Sequence, residues 1–288
     1  MAKRAPKKYP SLRFFITVTI MIIVGLVLVL SVGFYYIKTS SILRKTSRDS
    51  IVRELNQVND TIQDQVEIID SIIPLFMSNE VIQNALENPG AGINYPFSVE
   101  RQMSYIYNSS ALSEKNFTDS IYIYNSRSTV YHAYTSGILE NVDDTSEFLQ
   151  STIDSANPHL MCYTSPLHDQ NMYFARNLYS SNSGNRIGMI VININAQKWI
   201  EYCSKTIDPS WFIMLFNKEF SLSSDSDFSK DQLLDLYSSL TAQKNSVLFK
   251  EQSFGGRDYF MASQSLERLG LTSAVAAPKE LLLENLNS

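Results

Sequence analysis

"RIGMIVININAQKW", from Arg186 to Trp199, sets the frame for the rest of the chain. Between Arg186 and Lys198 no side chain is charged, and isoleucine and valine, stiff at χ1 and suited to a pleated surface, fill the middle. A short charge-free run of this kind is a buried strand, and "NAQKW" turns it into an amphipathic helix. The pattern returns at "RLGLTSAVAAPKEL", Arg268 to Leu281: Arg, aliphatic, Gly, aliphatic, an apolar-leaning run, then a helix start. Two segments that close alike predict two copies of one kind of domain.

Working back from Arg186, the first unit reads as a helix (98–112) and strands "DSIYIYN" (119–125) and "STVYHAY" (128–134). A helix follows the acidic "NVDDTSEF" (141–148), then strands "LMCYTSPL" (160–167) and "NMYFARNLY" (171–179). Beyond it lie "WFIMLFN" (211–217), "FSLSS" (220–224), a helix over 229–241, and strands "SVLFKEQSF", "DYFMASQSL" and "LTSAVAA". "FGGR", Phe254 to Arg257, is a hairpin turn. Each unit is an antiparallel sheet of roughly five strands with helices on one side, an α+β plan of the PAS-like kind. The expected boundaries are 88–206 for a larger, membrane-distal unit and 207–277 for a smaller, membrane-proximal one. Residues 278–288 start an exit helix, with Pro278 at its first position.

The other end of the chain is a membrane anchor. Phe14 to Ile37 carries no charged side chain and exceeds the ~20 residues that span a bilayer. A cleavable signal peptide is the competing reading, but "SVGFYYIK" offers no small-x-small site. Lys3, Arg4, Lys7, Lys8 and Arg13 precede the span, in a tail over 1–13; Lys38, Arg44, Lys45 and Arg48 follow it, so charge asymmetry orients it only weakly. Without the five N-terminal bases, 19 of the 24 Lys and Arg face all 29 acids, a balance of −10 beyond the span. An acidic body of this kind belongs outside a bacterial cell, N-terminus in the cytoplasm, and excludes a nucleic-acid binder, which needs a basic face.

Residues 38–87 form a stalk. Ile51, Leu55, Val58, Ile62, Val66, Ile69, Ile73 and Phe76 recur every three or four positions, the spacing of one helical face, with an interruption expected at Pro74. The stripe packs on the domains that follow, pairs with a second chain as a homodimer, or divides between the two. "ENPGAGINYPF", Glu87 to Phe97, is a turn cluster ahead of the first unit.

Six stretches together resemble the sensor half of a YesM-type histidine kinase: "SLRFF", "LFMSNEVIQNAL", "DSIYIYN", "YFARNLYS", "GMIVININ" and "AAPKELL". The resemblance implies a double Cache extracytoplasmic sensor, that is, tandem PAS-like domains. In the family a second membrane span, a HAMP linker and a kinase core follow. The chain stops where the second span is expected, so either it is a fragment or truncated product of such a two-component receptor, or the resemblance is to the sensor module alone. The alternatives are the same module serving a chemotaxis or cyclic-dinucleotide output, and a stand-alone anchored binding or scaffold protein of the envelope.

Chemistry is sparse. His132, His159 and His168 show no zinc-pair spacing, and no phosphate-cradling loop or nucleophile elbow occurs. No catalytic residue, metal ligand or cofactor is expected, and the chain as it stands is no enzyme. The acids Asp143, Asp144 and Glu147 suit a helix start better than a cation site. Cys162 and Cys203 exclude a disulfide framework. The aromatic pattern carries more. In "DSIYIYN" alternation puts Ile121 and Ile123 on one face, for a helix, and Tyr122 and Tyr124 on the other. Tyr131, Tyr134, Tyr173 and Arg176 on neighbouring strands extend that second face, and Tyr and Arg combine flat apolar area with directed donors, as a small-molecule site needs. Tyr122, Tyr124, Tyr131, Tyr173 and Arg176 are therefore the expected ligand-binding residues for an unknown small molecule or protein.

Overall fold

A computed structural model describes residues 12–88, 95–125, 130–134, 151–153, 155, 158–164, 171–225, 230–240 and 246–285. Helix α1, Leu12–Met77, runs without a break through Pro74. The proline nitrogen has no proton to give the Asp70 carbonyl, yet the next turn closes normally, with Ser78 N donating to Pro74 O at 2.9 Å. The break expected at Pro74 falls at Ser78 and Asn79 instead. There the Asn79 carboxamide accepts from Val81 N and Ile82 N and starts α2, Glu80–Glu87.

After α2 come α3 (Tyr95–Asn108) and five strands: β1 (Thr118–Asn125), β2 (Val130–Tyr134), β3 (Met161–Thr164), β4 (Asn171–Tyr179) and β5 (Arg186–Asn195). Asn195 ends β5 and caps α4 (Ala196–Ser204) by accepting from Lys198 N at 3.0 Å, so "NAQKW" is a strand-to-helix hinge. The second unit is β6 (Phe212–Phe216), β7 (Ser221–Ser223), α5 (Lys230–Leu240), β8 (Leu248–Phe254), β9 (Arg257–Leu266), β10 (Leu271–Pro278) and α6 (Lys279–Asn285). Pro278 closes β10, one residue short of the helical position expected for it.

The two sheets are separate and share one design. The first has the order β2-β1-β5-β4-β3 and the second β7-β6-β10-β9-β8, every neighbour antiparallel, with the last strand at the centre. The two glycine motifs are not equivalent, however. Gly188 lies inside β5, where an added Cβ would stand 2.3 Å from the Tyr124 carbonyl oxygen, whereas Gly270 sits ahead of β10 at φ +64° in open space. The "FGGR" turn joins β8 to β9 with Gly255 and Gly256 both at positive φ, as a two-residue hairpin of the primed type requires.

All eight residues of the helical stripe, Ile51 through Phe76, are at most 2% exposed. They form one core with α2, α3, α4 and one face of each sheet, each buried aliphatic contributing up to about 1.5–3 kcal/mol. Core packing thus claims the whole upper stripe and leaves none of it for a second chain. Below it, the described large apolar side chains between Ile16 and Ile37 are 49–74% exposed, on a helix long and apolar enough to cross a membrane.

Candidate functional site

The first sheet buries both faces, but in different materials. Ile121 and Ile123 of β1 turn toward α1. Tyr122 lies on the opposite face in a separate cluster with Tyr173, Ala175, Met189 and Val191, against which Tyr124, Ile153 and Tyr163 pack. Strand register sets this floor: Tyr122 pairs across β5 with Val191, Tyr124 with Met189, and Tyr173 with Asn193. The rings of Tyr122 and Tyr124 lie 6.5 Å apart, those of Tyr163 and Tyr173 6.4 Å.

Polar groups are built into the same face. Ser120 and Asn193 stand in one row with Tyr173, and both are buried. Among the described residues the Asn193 Oδ1 accepts no hydrogen bond, which leaves a polar atom without compensation inside the protein. Four residues along β4 from Tyr173, the Asn177 carboxamide donates to the Thr152 carbonyl at 2.8 Å, in fully buried surroundings. That bond and the packing of Ile153 hold the helical segment at 151–153 over the tyrosines. The matching face of the second sheet is different in kind: Leu233, Leu236 and Leu240 of α5 close it against Phe212, Met214, Phe216 and Met261.

Of the residues expected here, Tyr122, Tyr124 and Tyr173 are brought together, while Tyr131 and Arg176 belong to the other face. Tyr131 pairs with Ile123, and Arg176 with Ile190, so each shares the parity of the isoleucines and turns toward the helices. Tyr131 is buried in the long-helix core. Arg176 donates to Asp70 Oδ1 of α1 at 2.9 Å, and Arg268, from the turn before β10, donates to Oδ2 of the same carboxylate at 3.2 Å. The Tyr134 side chain, Asp143, Asp144, Glu147 and His168 lie outside the described residues. Tyr163, Met189, Val191 and Asn193 were missed because period-two alternation gives two faces for each strand but not which faces meet.

His132 Nδ1 lies 3.1 Å from Glu100 Oε1, on α3. Among the described residues no group of three or more His, Cys, Asp or Glu is placed to hold a metal ion. Cys162 and Cys203 are free thiols. A cleft of about 550 Å³ also lies between α1 and the end of β9, but its central amides are engaged with protein. Asn59 Nδ2 donates to Gln264 Oε1 at 2.9 Å, and Ser273 Oγ donates to Asn59 Oδ1. The tyrosine face, with its unpartnered acceptor, is the stronger candidate.

Among solved structures, the sensory domain of the Campylobacter jejuni chemoreceptor Tlp3 with isoleucine bound matches with TM-score 0.58 at 12% identity, over 84% of this chain and 97% of that one. The sensor domain of the V. cholerae histidine kinase DctB matches with TM-score 0.53 at 14% identity, over 83% and 98%. The chain has the double Cache fold. A third double Cache neighbour is the ligand-binding domain of the Pseudomonas aeruginosa PAO1 amino acid chemoreceptor PctB in complex with L-Arg, with TM-score 0.51, 13% identity and coverage of 80% and 93%. No family model matches the sequence, and no curated protein matches it. In this double Cache chain the tyrosine face lies on the first of the two sheets, and Asp70 stands where both units meet the long helix.

Proposed function

We propose that the chain is the extracytoplasmic sensor region of a membrane-anchored bacterial receptor, and that the tyrosine face of its first sheet binds a small polar molecule. One observation carries the reading: a buried face of tyrosines and asparagines, on which the Asn193 acceptor has no bond among the described residues, lies under a segment pinned by Asn177. A ligand that supplies the missing donor and stacks on the tyrosine rings gains both hydrogen-bond and stacking energy. Since the Tlp3 and PctB neighbours hold isoleucine and L-Arg, molecules of amino-acid size are the first class to test.

The apolar stretch of α1 is the anchor, with the acidic body outside and the N-terminal bases in the cytoplasm. Both sheets pack on α1, so a ligand that prefers one packing of the first sheet biases the helix; a coupling of ~1–3 kcal/mol suffices. The chain senses and does not catalyse. Its output is a kinase of the YesM type, reached through an exit helix that begins at Lys279, in a homodimer paired through the lower stalk. The neighbours include chemoreceptors as well as histidine kinases, which supports a chemotaxis output as the second reading.

Thermal unfolding of the full chain in detergent, with single L-amino acids and short carboxylic acids added in turn, is the test. A ligand at a hundred times its Kd is expected to stabilise by ~2.7 kcal/mol. If no member of either set shifts the transition, this ligand class is wrong.

A further inference from the structure

We propose that the groove between the base of α1 and β8 binds the phosphate headgroup of an anionic phospholipid. The groove encloses about 610 Å³ and is lined by Tyr36, Ser40, Arg44, Lys45 and Arg48 of α1, with Phe249 of β8 as an apolar wall. Tyr36, Ser40, Arg44 and Arg48 follow each other at intervals of four, and Ser41 and Lys45 flank them, so hydroxyl and cationic donors converge on one helix face.

Charge and height favour a lipid. The first acidic residue of the whole chain is Asp49, so nothing on α1 ahead of it neutralises these bases. Among the described residues Lys45 and Arg48 form no ion pair, and Arg44 approaches only Glu251, at 3.9 Å, a carboxylate already held by Lys279. At 1.5 Å per residue Arg44 stands ~10 Å beyond Ile37, where the apolar run ends. Helical side chains lean toward the N-terminus, and here that is back toward the bilayer, bringing the guanidinium to the headgroup layer. A phosphate there meets bidentate Arg donors, and Tyr36 sits at the depth that aromatic anchors favour. The site also accounts for the nearly balanced bases on the two sides of the span, since those after it serve a ligand.

This inference rests on the anchor reading, and the experiment separates the two. The full chain is mixed with vesicles of phosphatidylcholine alone or with phosphatidylglycerol, floated, and transferred to nanodiscs for native mass spectrometry. The expected result is flotation with both vesicle types and retention of phosphatidylglycerol over phosphatidylcholine. R44Q/K45Q/R48Q is expected to float equally and lose the preference, about fivefold for each base removed. Neutralising Lys3, Arg4, Lys7 and Lys8 instead should leave it in place. An unchanged preference in the triple variant, or its loss only in the N-terminal variant, overturns the site. Displacement of the lipid by glycerol phosphate would assign the groove to a soluble phosphate and overturn the lipid. A chain that floats with neither vesicle overturns anchor and site together.

Discussion

Arg176 and Arg268 hold the two oxygens of one carboxylate, Asp70, although one comes from a strand of the first unit and the other from a turn of the second. The three side chains are 28–43% exposed, so each pair contributes about 0.5 kcal/mol after solvent screening. Their placement matters more than their strength, because α1 is clipped to both units at one residue. Asp70→Asn should lower stability by about 1 kcal/mol. In that background Arg268→Ala should cost nothing further, whereas in the wild type it does; a thermal double-mutant cycle reads the difference. Additive costs would show that the carboxylate does not couple the arginines.

The two glycines of the repeated motif should respond in opposite ways to asparagine. Gly188→Ala forces a Cβ against the Leu86 side chain and onto a backbone oxygen of β1 that cannot retreat without opening the β1–β5 ladder. A loss of about 3 kcal/mol is expected, and Gly188→Asn should be worse. Gly270→Ala meets open space and costs only the left-handed backbone, about 1 kcal/mol. Gly270→Asn should recover most of that, since asparagine tolerates this conformation. Urea midpoints of the four variants decide the matter.

Alternation and turn residues made the element order legible: β4 and β5 begin at the expected residues because uninterrupted strand formers run between turn signals. Face assignment within the sheet was harder. The parity of β1 was readable from "IYIY", but placing Tyr131 and Arg176 required knowing how β2 and β4 register against β1 and β5, which local sequence does not encode. Asn193 was invisible for a related reason. Inside "MIVININ" a buried asparagine reads as strand interior, and only its row with Ser120 and Tyr173 shows that it stands on the tyrosine face.

Burial pushes the thiols of Cys162 and Cys203 up to about 12 from an ordinary value of 9.0. Cys203 is wholly inside the core of α4; Cys162 is half-buried as a residue, with its side chain against the long-helix core. For an acid raised in the folded state, the unfolded chain releases its proton first. The thiol contribution to stability is therefore constant below pH ~9 and falls as pH rises from there toward 12. Wild type should lose more stability between pH 8 and pH 10 than the Cys162→Ala/Cys203→Ala variant, as read from urea midpoints. Equal losses would place the thiols in solvent contact.

The tyrosine face can be tested without disturbing the fold. Tyr122 and Tyr173 are 3% and 6% exposed, so alanine there would cost about 3 kcal/mol in packing and confuse affinity with unfolding. Phenylalanine keeps the ring and removes only the hydroxyl. Tyr122→Phe and Tyr173→Phe should leave the transition within about 1 kcal/mol of wild type and weaken a ligand from the screen by roughly tenfold where the hydroxyl contacts it. Asn193→Val is the sharper probe. It replaces a buried acceptor that has no described partner with a β-branched strand former, so the ligand-free protein should lose little stability, while binding falls tenfold or more. Arg176→Ala, on the opposite face, should leave affinity unchanged. If calorimetry shows Arg176→Ala abolishing binding while Asn193→Val and both phenylalanine variants bind normally, the ligand occupies the helix side of the sheet and the tyrosine face is core.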